Sequence, residues 1–400
     1  MQMAKKNKTA FRSEPRLSQS GHDRPRVLII SQVPPPRHGS TVMTETLIRI
    51  LSRNGQVISL LDRRFSRKNS EVGRASLKKA IAAVHLFGRL LAALARGRPD
   101  YCIFFITTRP ASFVIDWALS EILRLFKIEI VNYIHTQGYR GLELRGSAWA
   151  LMARRLIGSA NVTVCLGPSL MEDVSSMASG RIVCIPNSTV GATYTSGEVA
   201  LESPTKRMVF LSNLMPSKGA SDFVKASIAL SILFPDAEFV VAGADTDSQY
   251  TQGLRDQIVK AGLEDRILLV GAVYGRDKWD LLRSATVLAY PSQLDAQPLT
   301  IIEAFSCGVP VVAYSVGGIP DLIEDDVNGL LIAAGDLQKF TDSCSRILED
   351  GFLRNRLGES AQDSFSERYS EVAFEQNWLN IFGSSHPQTR IRSRRPRDIM

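Results

Sequence analysis

Cysteine is scarce: the 400 residues hold five, at 102, 165, 184, 307 and 344, none in a C-x-x-C pair or at a metal-ligand spacing. An odd count so spaced excludes a disulfide framework and a thiolate zinc site, and leaves small buried residues of a reducing compartment. Long hydrophobic runs are also missing, since none approaches the roughly 20 residues that cross a bilayer. The opening stretch MQMAKKNKTAFRSEPRLSQSGHDRPR is polar and basic, without the apolar core of a secretory signal. Residues 1–25 are therefore expected to form a disordered leader on a cytoplasmic protein. No period of about 20 to 50 residues recurs, which excludes a solenoid.

What is present is an ordinary globular composition, 44% hydrophobic and 22% charged, at a length that one core rarely serves, so two domains are expected. The net charge of +8 is unevenly divided: residues 1–26 and 384–400 together carry +9, residues 27–190 carry +11 and residues 191–383 carry −12. Halves of opposite sign suggest domains facing each other across a cleft, the basic one turned to an anionic partner or surface.

Short β-branched runs alternate with helical patterns. RVLIIS (26–31), YCIFFIT (101–107), IEIVNYIH (128–135) and NVTVCL (161–166) read as strands buried on both faces of a parallel sheet. The same grammar restarts with RMVFLS (207–212) and runs through AEFVVAG, RILLVG, TVLAYPS and VPVVAYS (309–315). Two doubly wound, Rossmann-like α/β domains are the economical architecture, at 26–190 and 205–370, divided where ATYTSGEVALESPTKR loses periodicity.

In such sheets ligands sit beyond the carboxyl ends of the strands. The first strand ends in VPPPRHGSTVM, where Gly39 permits close backbone approach and Ser40 or Thr41 can cap a helix, an arrangement suited to an anion. His135 arrives at the same rim. In the second domain Lys218 precedes Gly219 at a helix start, a cation beside a positive terminus. PSQLDAQPLTIIEAFSCGVPVV (291–312) places Asp295 in a loop and Pro298 at a helix start. The amides of Leu299 and Thr300 are then free for phosphate and Glu303, about one turn further, can accept hydrogen bonds from a ribose, with Asp295 facing an attached sugar.

This stretch, continued through AYSVGGIPDLIEDDVNGLLIAAGD, resembles the donor-site core of retaining GT-B glycosyltransferases, family 4 in particular, including its Glu-x7-Glu motif. VPPPRHGSTVM, YIHTQG, VCIPNS and SNLMPSKG are similar in family order, so the likeness covers about 26–383. It implies a GT-B fold and transfer of a hexose-like group from a nucleotide diphosphate sugar of UDP or GDP type to a saccharide or lipid-linked acceptor, with retention. It further implies no metal or other cofactor and a helix at 371–383 returning to the first domain, ahead of a disordered basic tail at 384–400. By the same resemblance His135 and Asp295 are catalytic; Asn213, Lys218, Leu299, Thr300 and Glu303 bind the donor; Gly39 and Ser40 form a diphosphate or acceptor loop. Two departures stand out: Asp295 replaces the motif's first glutamate, and Asn213 stands where many members have arginine. An epimerase or a non-catalytic binding subunit would share the fold; the former needs further acid/base groups.

Asp245-x-Asp247 has the spacing of a divalent-metal motif, but no His or Cys supports it, and solvated loop acids are the expectation. On the helical pattern 75–96, Lys78, His85, Arg89 and Arg96 fall on one line. Leu77, Ile81, Val84, Leu91 and Leu94 share another face, and the combination suggests contact with an anionic membrane surface, on the inner face of the membrane. The tail TRIRSRRPRDIM is basic but no nucleic-acid module is recognisable, so no specific nucleic-acid partner is expected.

Overall fold

The computed structural model describes residues 24–35, 38–63, 77–191 and 206–383, without the side chains of 77–80. The expected leader and basic tail lie outside the described residues.

The first sheet contains β1 (Arg26–Ser31), β2 (Val57–Asp62), β3 (Tyr101–Ile106), β4 (Glu129–Ile134), β5 (Val162–Cys165) and β6 (Arg181–Cys184), all parallel, in the order β2-β1-β3-β4-β5-β6. Its helices are α1 (Gly39–Arg53), α2 (Leu77–Arg96), α3 (Pro110–Leu125), α4 (Tyr139–Glu143), α5 (Ser147–Gly158) and α6 (Pro168–Val174). The second sheet contains β7 (Arg207–Leu211), β8 (Glu238–Ala242), β9 (Ile267–Gly271), β10 (Val287–Tyr290), β11 (Val311–Tyr314) and β12 (Gly329–Ile332), again parallel, in the order β12-β11-β10-β7-β8-β9. With it go α7 (Ala220–Leu233), α8 (Ser248–Ala261), α9 (Gly275–Arg283), α10 (Leu299–Ser306), α11 (Leu337–Glu349), α12 (Gly351–Ser364) and α13 (Glu371–Gly383).

Numbered from β7, the second order is that of a dinucleotide-binding sheet, with its topological switch between β7 and β10. The first sheet switches between β1 and β3. Both switches open a crevice at the strand ends, where ligands bind in such folds. Central strands are apolar residue after residue because helices cover both faces: β1, β3 and β4 are each buried over five consecutive residues.

α13 crosses back, and its Phe374, Trp378, Ile381 and Phe382 lie in the core of the first sheet. Trp378 meets Tyr133 edge-on at 5.0 Å. Above them Arg49 pairs with Glu371, and Arg53 with Glu371 and Glu375. Three cysteines are buried, but Cys184 on the edge strand β6 is exposed and Cys307 partly so, which corrects the reading of all five as interior residues.

The apolar face expected of α2 needs correction. Leu86, Leu90 and Leu94 face the core, whereas Ile81, Val84 and Leu91 of the expected apolar face are exposed at 50%, 68% and 45%. The sheet edge that α2 covers is narrow, and only one row of its leucines reaches it. Exposed His85, Arg89 and Arg96 line a groove against β1 and β2, where Arg89 donates to the carbonyl of Asp62 at 3.1 Å. Lys78 lies in the first turn of α2, and its side chain is outside the described residues.

Candidate active site

The loops from both switch points line one cavity of about 570 Å3, with Ser31, His38, Ser40, Arg109 and His135 on the first-domain side and Asn213, Pro216 and Asp247 opposite. His135 follows β4 directly. Its ring stacks on Phe105 at 5.1 Å and meets Tyr133 edge-on at 4.2 Å. Burial, and secondarily His38, lowers its pKa to about 3, so the imidazole is neutral at working pH. Its Nε2 and the Thr136 hydroxyl have no hydrogen-bond partner among the described residues. Buried polar atoms left so are where a ligand or water is expected.

Ser40 contacts His38 Nδ1 at 3.2 Å, and Thr41 rather than Ser40 closes the first turn of α1, accepting from the His38 amide at 3.1 Å. A Cβ on Gly39 would meet only Leu299 Cδ1, at an ordinary 3.9 Å. The N-termini of α1 and α10 therefore lie against each other, and no contact among the described residues demands a glycine there.

Asp295 is the hub of the second-domain loops. Its Oδ2 accepts from Lys218 Nζ at 2.7 Å, Tyr290 Oη at 2.8 Å and Ser292 Oγ at 3.1 Å. Burial, reinforced by Asp295, pushes the Tyr290 phenol well above its ordinary pKa and keeps it a donor. No donor among the described residues addresses Asp295 Oδ1, which leaves one carboxylate oxygen for a ligand hydroxyl. The loop is seated by Gly317 and Gly318, where a Cβ would lie 1.8 Å from Asp295 O and 1.7 Å from Ala296 O. The Gly317 position also approaches Gln137 Oε1 at 3.3 Å, so the His135 and Asp295 loops converge.

Pro298 precedes α10, and the first-turn amides of Leu299 and Thr300 have no intrahelical partner. Glu303, buried in this helix, pairs with Lys278 of α9 at 2.5 Å. The cation neutralises a carboxylate that burial would otherwise penalise. Nothing in the chain's spacing links residues 278 and 303, and sequence reading missed Lys278 for that reason. Lys218, Asp295 and Glu303 thus form ion pairs beside the cavity rather than lining it.

Asp245 accepts from Ser248 and Thr251, and Asp247 caps α8 by accepting from the Tyr250 amide. Both carboxylates therefore serve the local turn. Gln297 joins the domains: its Oε1 accepts from the Asn187 amide at 2.6 Å, its Nε2 donates to Leu166 O at 2.9 Å, and its own carbonyl accepts from Asn187 Nδ2 at 3.0 Å. Asp321 accepts from the Ser169 hydroxyl at 2.6 Å across the same boundary.

Residues 196–364 match the family model described as Glycosyl transferases group 1. Over 178 residues the chain is 33% identical to the lipopolysaccharide core biosynthesis mannosyltransferase LpsB of Rhizobium meliloti, covering 43% of this chain and 49% of that protein. Over 183 residues it is 30% identical to a D-inositol 3-phosphate glycosyltransferase of Saccharomonospora viridis, covering 44% and 42%. The chain thus spans about half the length of these curated relatives. Sucrose-phosphate synthase from Thermosynechococcus elongatus superposes with a TM-score of 0.71 at 16% identity, over 90% of this chain and 100% of that one. Anabaena Alr3699/HepE in complex with UDP does so with a TM-score of 0.68 at 19% identity, over the same shares. At such identities the superpositions speak for the fold.

Proposed function

From the match of residues 196–364 to the glycosyl transferases group 1 family and the GT-B fold, we propose that this chain is a retaining, metal-independent glycosyltransferase of family 4. It moves a hexose-type group from a UDP or GDP sugar to a saccharide or lipid-linked hydroxyl, in the synthesis of a surface polysaccharide or glycolipid. The observation that carries the reading is the convergence of Lys218, Asp295, the Leu299 and Thr300 amides and Glu303 at the switch point of a dinucleotide-ordered sheet. UDP in the Anabaena neighbour and the lipopolysaccharide role of the Rhizobium relative are in keeping with it.

On this reading the diphosphate takes Lys218 and the α10 amides, which stabilise negative charge as the sugar leaves. Glu303 receives the ribose hydroxyls, and Asp295 Oδ1 a hydroxyl of the sugar. Neutral His135 acts as a hydrogen-bonding group that orients the transferring sugar. The acceptor hydroxyl attacks from the face the diphosphate leaves, and the diphosphate takes its proton.

Exposed Ile81, Val84 and Leu91 beside Arg89 and Arg96 support a place at the membrane surface. No helix among the described residues is long and apolar enough to cross a membrane.

The test is calorimetry of UDP and GDP with the wild type and Glu303→Ala. Loss of about 1.5 to 3 kcal/mol is expected, the scale of a hydrogen bond to a charged group. Unchanged affinity for both nucleotides refutes the ribose assignment.

A further inference from the structure

We infer that the acceptor carries an anionic group, a phosphate or a carboxylate, which the first domain receives on Arg109, Ser112 and the free amides at the N-terminus of α3. The inference rests on the donor reading of the second domain and adds the acceptor's chemical class.

Arg109 stands at the end of β3, beside the β1/β3 switch point of the first sheet, where a ligand crevice is expected. Arg109 and Ser112 both line the cavity shared by the two domains. α3 is a 16-residue helix with Pro110 in its first turn, and its first intrahelical bond runs from the Phe113 amide to Arg109 O. The amides of Ala111 and Ser112 are therefore free, at the positive end of the helix and next to a guanidinium.

Charge balance then selects the ligand. Arg63, the other arginine of the wall, is taken by Asp116, which also accepts from the Thr107 amide at 3.0 Å. The one acidic residue among the described lining residues is Asp247, already capping α8. Arg109 forms no ion pair or side-chain hydrogen bond among the described residues. Its charge also disfavours protonation of His38, whose pKa falls through burial first and Arg109 second. Among the described residues the wall thus has one uncompensated cation, helix amides and a hydroxyl. In the same cavity the unpartnered His135 Nε2 and Thr136 hydroxyl supply neutral hydrogen-bonding atoms for the sugar-like remainder. A bidentate guanidinium with helix amides matches the oxygens of a phosphate or carboxylate better than it matches hydroxyls.

The experiment titrates glycerol 3-phosphate, malate and glycerol into the full chain at fixed ionic strength, with and without saturating UDP, for the wild type and Arg109→Gln. Glycerol 3-phosphate or malate is expected to bind at least about tenfold more tightly than glycerol. Arg109→Gln is expected to weaken that anion by about tenfold or more while UDP affinity and thermal midpoint stay unchanged. Anions that bind no better than glycerol, or bind the variant equally well, overturn the inference. So does a variant that loses UDP instead, because the anion at Arg109 would then be the donor's own diphosphate. Anion binding that depends on Arg109 in a protein that ignores UDP would sink the donor reading and leave the anion site standing.

Discussion

His135 shows how the fold chooses a protonation state before any substrate arrives. Packed between Phe105 and Tyr133, the ring has a pKa near 3 against 6.5 when free. The unfolded chain binds a proton there between those values and the folded one does not, so stability is lost as pH falls from about 6.5 toward 3. Asp116 acts with the opposite sign: burial raises its carboxyl from 3.8 to about 6, despite Arg63, so its contribution declines as pH rises across that interval. Comparison with His135→Gln cancels the Asp116 effect. Between pH 7.5 and pH 5 the wild type is expected to lose about 2 kcal/mol more than the variant, one and a half pH units of the imidazole. Urea unfolding at both values measures this, and equal losses would mean that the ring titrates normally in the fold. At this scale the placement of the candidate residues was legible: a strand end delivers His135, and helix starts deliver Lys218 and the group Leu299, Thr300 and Glu303. Arg109 was within reach of the same rule, as the last of the three residues between the end of β3 and Pro110. Lys278 was not, since its pairing with Glu303 arises only when α9 and α10 pack.

α2 is where element-level reading succeeded in one respect and failed in another. The helix and the line of His85, Arg89 and Arg96 are as the periodicity predicts. The apolar stripe was assigned to the wrong side, because a helix rich in Leu and Ala on all sides offers several candidate faces and only the sheet edge decides which is covered. The strands β2, β6 and β12 escaped for a related reason. β2 and β6 close the edges of the first sheet and are partly exposed, so neither forms the continuous apolar run that marked β1, β3 and β4, and β12 is only four residues long. The exposed Ile81, Val84 and Leu91 give α2 a testable role. In a protein lacking residues 1–23 and 384–400, whose basic tails would attract lipid by themselves, the joint change of Arg89 and Arg96 to Glu is expected to abolish binding to anionic liposomes at low salt. Each basic residue near such a surface contributes roughly 1 kcal/mol, which salt screens. UDP affinity should be untouched, because these side chains line the groove behind β1 and β2 rather than the interdomain cavity. A tail-less wild type that ignores the liposomes removes the membrane from the proposal.

The whole molecule explains part of its own charge division. Glu371 and Glu375, from the acidic half, return on α13 to pair with Arg49 and Arg53 of the basic half. These pairs are partly exposed and contribute little individually; the buried clamp matters more. Gln297 stands immediately before the helix of the donor motif, and its amide satisfies the Asn187 N–H and the Leu166 carbonyl of the opposite domain. Gly167 nearby leaves no room for a side chain, since a Cβ would come within 2.2 Å of Asp321 Oδ2. The same eight-residue loop therefore carries Asp295 toward the proposed donor site and fastens the two domains. Its sequence shows only the first of these tasks, because the partners lie 110 and 131 residues away. Gln297→Ala removes both side-chain bonds and leaves two buried backbone groups unpaired, at about 1 to 3 kcal/mol each. The expected result is faster hydrogen exchange at the Asn187 amide and across residues 295–299, with β7, β8 and α11 protected as before, because those elements belong to cores that Gln297 does not enter. Uniformly faster exchange throughout the second domain would instead make Gln297 a general stabiliser of that domain, and unchanged exchange at Asn187 would remove it from the interdomain contact altogether.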